Sequence, residues 1–173
     1  MKLTRSNIFL LTILSVSIIL ISSCEKYDTD IEGDIDIYLL DEYDTEEGSA
    51  AIINTGIVLS NEPVIYYDEI KSYNSRTYTF KLTADAADRL EDYYQSAFAV
   101  TIDGEIIYTA YFWSSFSSLG VDWIVTDLLR VETSNEMKIQ LGYPGLIEGT
   151  TIPDKRNDCR ILSVFKRDGK LVD

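Results

Sequence analysis

The sequence predicts an α+β domain, an antiparallel sheet with two helices packed on one face, and three observations lead there. Several stretches alternate apolar and polar residues with period two, as a strand with one buried face does. Tyr78, Phe80 and Leu82 against Thr77, Thr79, Lys81 and Thr83 are the clearest case. Two stretches, from Ala84 to about Ser96 and from Asp154 to about Lys166, switch to a helical stripe. Asp103-Gly104 stands between two apolar runs and signals a hairpin.

In chain order, Ile35, Ile37 and Leu39 alternate with Asp36, Tyr38 and Leu40, so a first strand is expected from Ile35 to about Tyr43. Residues 50–60 suit a short strand broken at Gly56, and Asp68 to Tyr73 a single helical turn. The strand at Tyr78 closes on Thr83, whose hydroxyl can cap the first helix, with Asp85 placed well against the helix dipole. Ala86, Leu90, Tyr93 and Ala97 form that helix's apolar stripe. In the hairpin, a three-residue loop ending in a left-handed Gly104 pairs Thr101 with Glu105. Phe98, Val100, Ile106, Tyr108, Ala110 and Phe112 then share one face, and Tyr111 and Trp113 share the other. Val121, Trp123 and Val125, then Met137, Ile139 and Leu141, predict two further strands separated by a turn at Thr133-Ser134-Asn135. In the second helix Ile161, Val164 and Phe165 supply the stripe, Lys166 and Arg167 suit the C-terminal dipole, and Gly169 ends it.

The chain has 173 residues, carries a net charge of −14 and contains no histidine. That length suits one domain, the acidity disfavours nucleic acid, and the missing histidine removes the histidine-based triads and zinc sites. At the start, Lys2 and Arg5 precede an apolar run from Ile8 to Ile21, shorter than the roughly 20 residues that a spanning helix needs. Ser22, Ser23 and Cys24 follow at once, which reads as a processing site. Leu20-Ile21-Ser22-Ser23-Cys24 resembles the relaxed lipobox of a bacterial lipoprotein, and an ordinary secretory leader is the alternative. The resemblance implies cleavage before Cys24 and acylation of that residue. The expected organisation is a signal peptide over 1–23, an acidic tether over 24–34 and one α+β domain over 35–173. The expected location is the cell envelope, lipid-anchored at an outer membrane and facing the periplasm or the outside. With Cys24 acylated, Cys159 has no disulfide partner.

The pattern F-x-L-T-x-x-A-x-x-x-L followed by F-A-V-x-I-D-G-x-I, from Phe80 to Ile106, resembles the periplasmic head of the translocon accessory protein SecD. That resemblance implies a strand leading into a helix and then into an apolar strand closed by Asp-Gly. It is a likeness of fold, because SecD works through transmembrane helices whose sequence pattern this chain lacks. The chain also resembles a group of small lipoproteins of Gram-negative bacteria that have no assigned activity to lend.

Candidate sites are few. Asp28, Asp30, Glu32, Gly33, Asp34 and Asp36 track the first positions of a calcium loop, but position twelve is Leu39 rather than glutamate, so a solvated tether is the expectation and no metal is assigned. No phosphate-cradling glycine loop occurs, and no cofactor is expected. Asp103, Glu105 and Asp122 are the carboxylates a hydrolase or glycan-processing enzyme could use, although Asp103 already has a role as a turn former. Asp127 lacks a motif linking it to other acids, and Cys159 is expected to be a half-buried structural thiol. Tyr111 and Trp113, beside Phe116, are the candidate binding surface if their sheet face is open; the alternative is that segment 50–67 covers it. The expected role is a non-catalytic binding or envelope-assembly module for an envelope protein or glycan, with the carboxylate-based enzyme as alternative.

Overall fold

The computed structural model describes residues 31–173, so the leader, Cys24, Asp28 and Asp30 lie outside the described residues. Nine strands form one mixed sheet: β1 (Ile35–Glu42), β2 (Val58–Leu59), β3 (Ile70–Asn74), β4 (Thr79–Leu82), β5 (Ala97–Ile102), β6 (Glu105–Trp113), β7 (Val121–Asp127), β8 (Glu136–Tyr143) and β9 (Leu171–Val172). Their order is β2-β1-β5-β6-β7-β8-β4-β3-β9. Most neighbours are antiparallel, but β6 with β7 and β3 with β9 run parallel. The α+β class holds, and the sheet, expected to be antiparallel, is mostly so but mixed. Because β7 runs alongside β6 in the same direction, Ser114 to Gly120 has to lead the chain back along the sheet.

Three helices, not two, are present among the described residues: α1 (Ala84–Asp88), α2 (Leu128–Ser134) and α3 (Cys159–Arg167). All three place apolar residues in one core with Phe80, Phe98, Phe112 and Ile139, so they share a sheet face. Thr83 caps α1 as expected, its hydroxyl accepting from Ala86 N at 3.3 Å. The helix stops far short of Ser96. After Leu90 the chain tightens into a 3-10 turn over Glu91–Tyr93 and passes through a left-handed Gln95. Tyr93 then packs on Phe112 and Tyr94 on Trp113, on opposite faces of β6, and consecutive residues of a helix, about 100° apart, do not diverge that far. Tertiary packing thereby overrides helix propensity.

α2 replaces the expected turn. Asp127 caps it by accepting from Leu129 N, Leu128 and Val131 are buried, and a left-handed Asn135 closes it with its N–H on Val131 O. α3 starts later than Asp154, at the Asp158 cap. It is pinned by rings: Phe165 stacks on Tyr73 at 5.1 Å and meets Phe80 edge-on at 5.9 Å. Truncating a buried ring of this kind costs roughly 3–5 kcal/mol.

The hairpin register also needs correction. Its loop has two residues, Asp103 and Gly104, both with positive φ, and Ile102 pairs with Glu105. A bulge between Val100 and Thr101 then restores the faces, Val100 opposite Tyr108 and Thr101 opposite Ile106. Phe98, Val100, Tyr108, Ala110 and Phe112 still share the helix-side core, but Ile107 takes the place expected of Ile106.

Candidate functional site

Tyr111 and Trp113 do not form an open surface. Each is only 8% exposed, within a second cluster of Leu40, Ile52, Ala97, Ala99, Val121 and Val125 on the sheet face away from the helices. Tyr43, Ala50, Ile57 and Leu59 close over it, and the Tyr111 hydroxyl donates to Ala50 O at 3.0 Å. Residues 43–59 are therefore the cover, an overlap with the anticipated segment 50–67. A sheet whose two faces both carry large apolar residues keeps them from water only if something packs on each.

The proposed carboxylates have separate structural partners. Asp122 holds the covering loop, accepting from Ser49 Oγ and Ala50 N, both at 2.7 Å. Partial burial pushes its pKa up, but these donors prevail and hold the carboxyl below its usual value. Glu105 pairs with Arg160 at 2.7 Å, tying the hairpin to α3, and Asp103 sits in the turn with its N–H on Asp34 O. Asp127 caps α2 and also accepts from Ser115 N. Asp122, Glu105 and Asp127 are thus each engaged at a different place in the fold. Cys159 is exposed on the first turn of α3, not half-buried.

The loop compared with a calcium site is filled by a cation of the chain itself. Arg167 donates to Ile31 O and Gly33 O, both at 3.0 Å, and pairs with Asp34 and Asp168. Asp36 instead accepts from Tyr67 N. Burial, opposed by that N–H and aided by neighbouring acids, raises the Asp36 pKa. Among the described residues no group of three or more metal-ligating side chains gathers.

The concave feature that offers chemistry lies where Tyr94, the Ser114–Gly120 loop and α2 meet. It is a cleft of about 290 Å³ lined by Glu91, Tyr94, Phe116, Leu128, Leu129 and Glu132, with Ser114 and Ser117 at its edge. The loop is ordered by its own serines: Phe116 N donates to Ser114 Oγ and Leu119 N to Ser117 Oγ. That arrangement holds Phe116 outward at 83% exposed, while Tyr94 stays 43% exposed although its ring rests 5.6 Å from Trp113. Glu91 and Glu132 make no hydrogen bond or ion pair among the described residues, and no cation lines the cleft. The sequence singles out Phe116 but not its partners: Glu91 and Tyr94 fall within the long helix expected from Ala84 to about Ser96, and Glu132 falls just before the turn expected at Thr133-Ser134-Asn135.

No helix among the described residues is long and apolar enough to cross a membrane. Comparison with family models, curated proteins and solved structures finds no match to this chain.

Proposed function

We propose that this protein is a lipid-anchored, non-catalytic docking module of a bacterial cell envelope. Its cleft between Tyr94 and Phe116 receives a basic, partly apolar segment of a partner protein. One observation carries the reading: two exposed rings and two unpaired carboxylates share one cleft. Rings that lose little rotamer entropy are the usual anchors of interfaces, and a ring face also attracts a cation. Glu91 and Glu132 complement the same charge and would repel a phosphate or carboxylate. The lipobox-like run ending at Cys24 supports the anchor, and the likeness of Phe80–Ile106 to the SecD head agrees with an extracytoplasmic setting.

Two experiments test this. Cells grown with a clickable palmitate analogue should label the wild type and not Cys24→Ala; label retained on Cys24→Ala sinks the anchor. For the cleft, the full chain in detergent is titrated with two fluorescent peptides, one alternating lysine and leucine, the other glutamate and leucine. The lysine peptide should bind in preference, and Tyr94→Ala with Phe116→Ala should weaken it by about tenfold or more. Equal affinity for both peptides, or an unchanged double variant, removes the cleft as the docking site. The enzyme alternative keeps one foothold, since two carboxylates line the cleft. Release of reducing ends from envelope glycans by the wild type and not by Glu91→Gln with Glu132→Gln would turn the docking site into an active site.

A further inference from the structure

We propose a second binding site, for a carboxylated polysaccharide, on the uncovered sheet face formed by β3, β4 and β8. The covering segment 43–59 packs over β1, β5, β6 and β7, and its cluster takes nothing from β3 or β4. The outward residues there are polar: Ser72 and Asn74 from β3, Thr79 and Lys81 from β4, Glu136 and Lys138 from β8. They line a cleft of about 400 Å³, and a second cleft of about 440 Å³ adjoins it across Thr77 and Lys138.

Charge singles this face out. The whole chain has 15 basic against 29 acidic residues. The two clefts reverse that balance, with Arg76, Lys81, Arg130, Lys138 and Arg156 against Glu136 alone. Arg130 pairs with Glu136, Arg156 with Asp154, and Lys81 donates to Ser134 O. Arg76 and Lys138 are held by no carboxylate among the described residues. Charges farther away than about 8 Å are screened at physiological salt, so an anion at this face feels the local cations more than the net −14.

The local backbone presents these groups. Asn74 Oδ1 accepts from Arg76 N and Thr77 N, a turn that puts Arg76 at its exposed tip. Tyr78 follows with φ +57, a left-handed conformation that a bulky residue rarely adopts, and its O accepts from Ile139 N. Its ring lies 3.7 Å below the Arg156 guanidinium, which fixes both side chains at the wall of the second cleft. Strain of this kind persists where the surroundings over-determine it and is concentrated at ligand sites.

The chemistry on the face selects the partner. The Ser72 hydroxyl and the Gln140 amide can both donate and accept, and the Asn74 amide nitrogen can donate, as the hydroxyls of a sugar chain require. Arg76 offers the planar fork that matches a carboxylate, with Lys138 as a second point charge. An interface for a protein would bring a buried apolar anchor, and the only exposed large apolar side chain here is Val172.

The test uses the full chain in detergent with four probes: polygalacturonate, a glycerol-phosphate polymer, polyglutamate and neutral dextran. Affinity should be highest for polygalacturonate, fall as salt rises, and be undetectable for dextran. Arg76→Gln with Lys138→Gln should weaken polygalacturonate by about tenfold or more, and Lys138→Glu alone should also weaken it, while Lys155→Gln, at an exposed lysine that lines neither cleft, leaves it unchanged. Because the Arg76 and Lys138 side chains make no hydrogen bond or ion pair among the described residues, the urea midpoint of each glutamine variant should stay close to the wild type's, which confirms that a loss of binding is local. Absence of polygalacturonate binding, an unchanged double variant, or equal or tighter binding of polyglutamate or of the glycerol-phosphate polymer overturns the proposal.

Discussion

Asp122 is the side chain through which the second sheet face is closed. Its two oxygens take Ser49 Oγ and Ala50 N separately, and the Tyr111 hydroxyl then meets Ala50 O, so one carboxylate sets the height of the whole covering loop above β6 and β7. Hydrogen bonds to a charged acceptor are worth about 1.5–3 kcal/mol each when buried. Asp122 is only half-buried, so Asp122→Ala should cost about 1–2 kcal/mol, read as a lower urea midpoint. Amide exchange at Ala51 to Ile53 should quicken more than at β5. An unchanged midpoint with unchanged exchange in that loop would mean that apolar contacts of Ile52 and Ile57 hold the cover without it. Asp36 on β1 shows the contrast: it also takes a backbone N–H, from Tyr67, but burial dominates there and raises its pKa instead of lowering it.

At the scale of elements, period and caps were legible wherever one contact decided the outcome. Thr83 announced α1, and β1, β4 and the strands flanking Asp103-Gly104 were readable from alternation. What misled was distance. The turn residues could not reveal that the extra residue of the hairpin sits at a bulge near Ile107 and not in the loop, because both arrangements bury Phe98, Val100, Tyr108, Ala110 and Phe112 together and differ only in whether Ile106 or Ile107 joins them. The end of α1 was invisible because it is set by Tyr93 and Tyr94 reaching two faces of a strand that follows later in the chain. α2 was readable and overlooked: Asp127, the Leu128 and Val131 spacing and the closing Asn135 make a complete set of helix boundaries. The parallel pairing of β6 with β7 carried no local signal, since Ser114 to Gly120 is shorter than the crossover such a pair ordinarily needs. The candidate cleft was half legible for the same reason: Phe116 belongs to a local serine loop, but its partners come from two elements that were misjudged.

For the whole molecule, the same carboxylates that anchor loops set the response to acid. Asp168 is held at about 2 chiefly by its hydrogen bond with Arg167, which prevails over the opposing effect of burial, and the Tyr67 hydroxyl lowers it further. Arg156 holds Asp154 below the usual range. Asp158, Asp122 and Glu69 are pushed up by partial burial, yet hydrogen bonds from Arg160, from Ala50 and Ser49, and from Arg89 and Tyr66 leave all three lowered. A carboxyl whose pKa is lower folded than unfolded stabilises fully above its unfolded value, and that stabilisation is lost as pH falls through the folded value. Asp36 works in the opposite sense, since its raised pKa favours the folded state on protonation. Five lowered groups against one raised group predict a urea midpoint that is level from about pH 7 to 5 and falls progressively between about pH 4 and 2. Solubility should follow a different curve, with its minimum near the isoelectric point of about 4.3, where the large negative charge vanishes. Urea titrations by fluorescence, with light scattering recorded at each pH, separate the two. A midpoint that stays level or rises from pH 4 to 2.5 would show that relief of acidic self-repulsion outweighs the loss of these anchored pairs.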